Sequence, residues 1–167
     1  MAKDTAMRII DFAVKMEQDG EKFYRDLAAR SLDRGLQGIF NGLADDEVKH
    51  AQTLRAFEKD PAAAMARTAI LRSARTVFGG MAAAKLFTAA SGDEKALYQQ
   101  ALELERRSRE LYEAHARDAL DRVSRDLFQR LAGEEAQHMT LLENMIEFIS
   151  RPQTWLENAE FNHLEEY

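Results

Sequence analysis

Residues 13–54 read AVKMEQDGEKFYRDLAARSLDRGLQGIFNGLADDEVKHAQTL, and residues 101–142 repeat them without a gap, 88 positions on. Thirteen of the 42 aligned pairs are identical, where residue frequencies alone predict about two to four. Some identities are core residues: Phe40 with Phe128, Leu43 with Leu131, Leu54 with Leu142. Others lie at a turn, Leu32-Asp33-Arg34 with Leu120-Asp121-Arg122. Four are polar or amphipathic residues on the apolar face: Glu17 with Glu105, Tyr24 with Tyr112, Glu47 with Glu135, His50 with His138. Packing logic does not account for these four. A buried ionised carboxylate costs several kcal/mol unless it is paired or bound to a cation.

Each repeat carries two apolar stripes of 3–4 spacing, which predicts two helices per repeat. The stripes include Ile10, Ala13, Met16, Phe23, Tyr24 and Leu27, then Leu36, Ile39, Phe40, Leu43, Leu54 and Phe57. The second repeat continues with Leu97, Ala101, Leu104, Ser108 and Leu111, then Leu127, Leu131, Met139, Leu142 and Ile146. Four helices are expected, at about 4–30, 33–58, 93–118 and 121–150. Asp4, Asp33 and Asp121 suit N-caps, and Ser91-Gly92-Asp93-Glu94 suits a capping box. Short links make each pair an antiparallel hairpin. The connection 61–90 is Ala-rich and broken at Gly79-Gly80, with short helices expected within 62–75 and 81–88. A long crossover between two hairpins marks an all-α, ferritin-like four-helix bundle. One domain over 1–167 is expected, with a tail, 151–167, docking through Trp155 and Phe161.

Composition narrows the function. The 167 residues contain no cysteine, which excludes a disulfide, a thiolate nucleophile or an iron–sulfur centre built from this chain. The acids outnumber Lys+Arg by 29 to 23, which argues against nucleic acid as a partner. No apolar run is long enough for a transmembrane helix, and the N-terminus MAKDTAMRIIDFAVKM reads as a helix start, not a signal peptide. A cytoplasmic location, with no membrane partner, is the expectation.

The repeated polar residues supply the chemistry. Glu47–His50 and Glu135–His138 are both Glu-x-x-His, whose ends project one turn apart from one face of a helix. Glu17 and Glu105 add one carboxylate from each remaining helix. Four carboxylates and two imidazoles suit two metal ions, iron first, with manganese or zinc as alternatives. A lone Glu-x-x-His is weak evidence: 17 Glu and 4 His give about 0.4 copies by chance. A third copy, Glu160–His163, has no repeat partner and reads as incidental. The shared offset gives the internal pair its weight. Tyr24 and Tyr112 each follow a repeated Glu by two turns on the same face, placing a phenol to donate to a metal-binding carboxylate or to a reacting group, with core filling as the alternative. His115 and Glu103 read as lying outside the cluster, and Glu21 as a weaker candidate for its edge.

Residues 13–28, 43–54, 101–116 and 131–142 resemble the rubrerythrin-like family of the ferritin-like superfamily, and the tail WLENAEFNHLEEY resembles its cysteine-free members. The resemblance assigns the metal to Glu17, Glu47, His50, Glu105, Glu135 and His138. It implies a cytoplasmic, dimeric di-iron protein that reduces hydrogen peroxide or oxygen. Two departures stand out. There is no four-cysteine rubredoxin domain, so electrons must come from a separate donor such as a rubredoxin. The family's extra carboxylate one turn after the third helix's Glu is Ser108 here, the repeat partner of Gly20. A symmetrical six-residue site is therefore expected. The alternative is a non-catalytic, metal-binding or iron-handling bundle.

Overall fold

A computed structural model describes residues 2–32, 34–61 and 92–150. Four helices carry them: α1 (Ala2–Arg30), α2 (Arg34–Lys59), α3 (Gly92–Asp118) and α4 (Arg122–Ser150). The described residues contain no strand. α1 packs along α2 and α3 along α4, and the hairpins meet where α1 faces α3. This is the expected ferritin-like bundle. The crossover helices, the Asp33 cap, the Ser91 capping box, Trp155, Phe161 and the third Glu-x-x-His lie outside the described residues.

The links show why the helices stop and restart. Asp121 caps α4: its Oδ1 accepts from the Ser124 amide at 2.8 Å and its Oδ2 from the Ser124 hydroxyl at 2.6 Å. That satisfies one of the four free amides at the helix start. At the first turn Gln37 Nε2 donates to the Ser31 carbonyl at 2.7 Å. Arg125 donates to the Ala119 carbonyl at 3.0 Å in the second. Asp4 is not an N-cap, because α1 already begins at Ala2. Ala2 and Lys3, both good helix formers, extend it by two residues.

Two apolar clusters hold the bundle, and they are repeat images of each other. One gathers Leu27, Ile39, Phe40, Leu43, Ala101, Leu142 and Met145. The other gathers Ile10, Val14, Leu54, Phe57, Leu127, Phe128 and Leu131. Each draws on both hairpins and joins the turn end of one hairpin to the open end of the other. Full burial of a Leu, Ile or Phe contributes roughly 1.5–3 kcal/mol, so these plugs supply the folding drive. Three leucines lie outside the core. Leu104 is 36% exposed at the edge of its stripe, since its neighbour Glu105 takes the central position, about 100° round the helix. Leu32 and Leu120 are identical in the repeat but lie exposed at the turns.

Candidate metal centre

Along each helix the polar repeat residues fall between residues of the two plugs. Glu17 follows Val14 on α1 and Glu105 follows Ala101 on α3. Glu47 and His50 lie between Leu43 and Leu54 on α2, and Glu135 and His138 between Leu131 and Leu142 on α4. All six are buried, none more than 4% exposed. They form two groups able to hold a cation: Glu17, Glu47, His50 and Glu135, and then Glu47, Glu105, Glu135 and His138.

Glu47 and Glu135 belong to both groups and give one oxygen to each side. His50 Nδ1 lies 3.2 Å from Glu135 Oε1, 3.5 Å from Glu17 Oε2 and 3.9 Å from Glu47 Oε2. His138 Nδ1 lies 3.3 Å from Glu135 Oε2, 3.5 Å from Glu105 Oε2 and 3.6 Å from Glu47 Oε1. The donor atoms of each group all lie within 4.8 Å of one another, compact enough for one ion apiece. The imidazoles stack with centroids 5.6 Å apart. The α1 backbone at Gly20 passes beside Glu47: a Cβ there would stand 3.4 Å from its carboxylate, in ordinary contact.

The fit to a metal rests on unpaired atoms. Glu17 Oε2, His50 Nδ1, both oxygens of Glu135 and His138 Nδ1 are buried without a hydrogen-bond partner. All five face the same small volume. A buried polar group left unpaired costs about 1–3 kcal/mol. Five in one place mark a site built for a ligand with several coordination positions.

Every polar contact from the outside crosses between hairpins. Tyr24 on α1 donates to Glu105 Oε1 on α3, and Tyr112 on α3 donates to Glu17 Oε1 on α1. Each phenol therefore serves the carboxylate of the opposite hairpin, not the one two turns earlier on its own helix. Both are essentially fully buried. Burial, then the charge of Glu105 for Tyr24 and of Glu17 for Tyr112, pushes both phenols well above the usual range. They stay protonated donors. Tyr112→Phe leaves Glu17 Oε1 without its donor and should cost about 1–3 kcal/mol in thermal denaturation.

Two carboxylates that the motif reading passed over complete the surroundings. His50 Nε2 donates to Glu134 Oε2 at 2.9 Å. His138 Nε2 faces Asp46 Oδ2 at 3.6 Å. Such partners fix which ring nitrogen carries the proton and which faces inward. Asp46 and Glu134 are themselves repeat partners, one residue before each Glu-x-x-His. An acid at both places was the available signal. Glu103 is taken by Arg106 and Arg107, Glu21 lies 3.9 Å from Arg25, and His115 packs on Phe128. None of the three joins the cluster.

The metal-free site neutralises itself with protons. Burial, then the charges of Glu17, Glu105 and Glu135, pushes Glu47 well above the usual range. Burial raises Glu105 to about 8, with His138 opposing and Glu135 adding to the rise. Burial acts to lower both histidines, but Glu135 beside His50 and Glu105 beside His138 outweigh it and hold both well above their ordinary value. Burial likewise acts to raise Glu135, but His50 and His138 outweigh it and hold Glu135 below its ordinary value.

Two helix hairpins around a buried, two-fold Glu/His cluster define the class: a ferritin-like four-helix bundle with a carboxylate–histidine site able to hold metal. The family model for rubrerythrin matches residues 8–146, and the chain belongs to that family. Searches of curated proteins and of solved structures returned no match.

Proposed function

We propose that Glu17, Glu47, His50, Glu105, Glu135 and His138 hold two metal ions, iron in the working protein. The protein then reduces hydrogen peroxide or oxygen with electrons from a separate donor protein such as a rubredoxin. The observation that carries this reading is the set of five buried, unpaired donor atoms facing one volume. Oxygen-rich donors with two imidazoles suit iron, with manganese and zinc as competitors.

A pair of ferrous ions supplies the two electrons that convert one hydrogen peroxide, with two protons, to two waters. The chain does the rest. Glu47 and Glu135 turn one oxygen to each group and so couple the two positions. Glu17 and Glu105 complete one group each. Tyr112 and Tyr24 keep a proton at Glu17 Oε1 and Glu105 Oε1, within the buried site. The apolar plugs exclude bulk water above and below, which strengthens every charge interaction inside. By the same family likeness the working form is a homodimer in the cytoplasm.

Iron-loaded protein, reduced without oxygen and then mixed with peroxide, should oxidise two ferrous ions per peroxide consumed. Iron that stays ferrous would overturn the redox reading and leave the metal-binding, iron-handling one.

A further inference from the structure

We infer that the two metal positions are inequivalent, and that Glu134 is the positioning residue that makes the Glu17/His50 position the tighter one. The inference rests on the two-ion reading above. The six inner residues are identical between the repeats, so the inner set predicts equal positions. The difference lies one step outward. His50 Nε2–H donates a hydrogen bond to Glu134 Oε2 at 2.9 Å. The side chain of that carboxylate is only 21% exposed. His138 has the shorter aspartate, Asp46, whose nearest oxygen stops 3.6 Å away, beyond hydrogen-bond reach.

Asp46 is also engaged elsewhere: the Lys49 ammonium, one turn along the same helix, binds Asp46 Oδ1. The cation offsets the charge that would otherwise act on His138. At the Glu134 position the repeat partner of Lys49 is Gln137, which carries no charge. Length and charge thus act in the same direction. A full carboxylate on Nε2–H makes the opposite nitrogen a stronger donor and locks the ring with Nδ1 inward. His50 gets both effects; His138 gets a weakened version of each. Loss of such a partner typically costs 10–100-fold in metal affinity.

Cobalt(II) titration of the metal-free chain, followed by its visible ligand-field bands and by calorimetry, tests this. The wild type should fill in two steps at least about tenfold apart. Glu134→Gln keeps the size and removes the charge. It should weaken the first step by about 10–100-fold, bringing it to or below the second, while Asp46→Asn moves the second by less. Asp46→Glu restores the missing reach and should tighten the second step towards the first. Unchanged helicity and a single cooperative unfolding transition in all three metal-free variants separate positioning from misfolding. Equal loss in Glu134→Gln and Asp46→Asn, or one unresolved wild-type step for two cobalt ions, would overturn the inequivalence alone. No cobalt uptake by the wild type would overturn the two-ion reading with it.

Discussion

Glu135→Ala is expected to remove both metal ions, not one. Glu135 Oε1 stands 3.2 Å from His50 Nδ1, and Oε2 stands 3.3 Å from His138 Nδ1, so a single side chain serves both groups. Its loss takes a donor from each ion and the coupling between them. Glu17→Ala, in contrast, removes a donor from one group only. After reconstitution with ferrous iron and desalting, Glu135→Ala should retain less than about a tenth of wild-type iron, an affinity loss of at least the 10–100-fold seen for lesser, outer contacts. Glu17→Ala should retain about one ion per chain. The double variant Glu47→Ala/His138→Ala should also be metal-free. Retention of two ions by that double variant would contradict the site assignment. Metal-free Glu135→Ala protein should still fold, since its apolar plugs are intact, but with lower stability, because the charge facing His50 and His138 has gone.

The metal-free wild type should lose stability as pH rises. Glu105 is raised to about 8 from an ordinary 4.5, and Glu47 is raised well above the same value. Groups raised on folding stabilise most below their unfolded value, and that contribution disappears as pH climbs through the folded one. His50 and His138 act in the same sense, from 6.5 upward. Glu135 is lowered and works the other way, but its contribution is lost only as pH falls below the ordinary carboxylate range. Between pH 5 and 9 the raised groups therefore dominate. The melting temperature of metal-free protein should fall by about 5–15 °C across that window, which for a chain this long corresponds to several kcal/mol. Bound metal replaces those protons, so loaded protein should show a much flatter profile. Loading at pH 7 should release more than one proton per chain, read from calorimetry in buffers of different ionisation enthalpy. A metal-free protein that grew more stable from pH 5 to 9 would contradict the coupling.

Much of this was legible in the chain. Helical periodicity placed all four helices within two residues, because long amphipathic stripes with few breakers leave little choice. The six inner residues were legible through register, since a polar residue at the same place in both repeats, on the buried face, has to be compensated. Three features were not. Asp46 and Glu134 look like ordinary acids on a helix, and only the rotation of the imidazoles turns them to the histidines. The crossing of Tyr24 to Glu105 and Tyr112 to Glu17 depends on which hairpin faces which, which no spacing within one helix encodes. Helix starts depend on a few tenths of a kcal/mol per residue, so α1 runs past Asp4 to Ala2. The acid surplus has also gained an address. Four of the 29 acids are buried in one seam, and two divalent ions there would cancel four of the six excess charges.

The most direct measurement is anomalous X-ray diffraction at the iron edge from crystals of the reconstituted protein. Two peaks are expected per chain, about 3.5–4 Å apart. One should be bounded by Glu17 and His50, the other by Glu105 and His138, with Glu47 and Glu135 between them. Iron found only at the surface, or a single peak held by one group with the other four-residue group empty at saturating iron, would contradict the account.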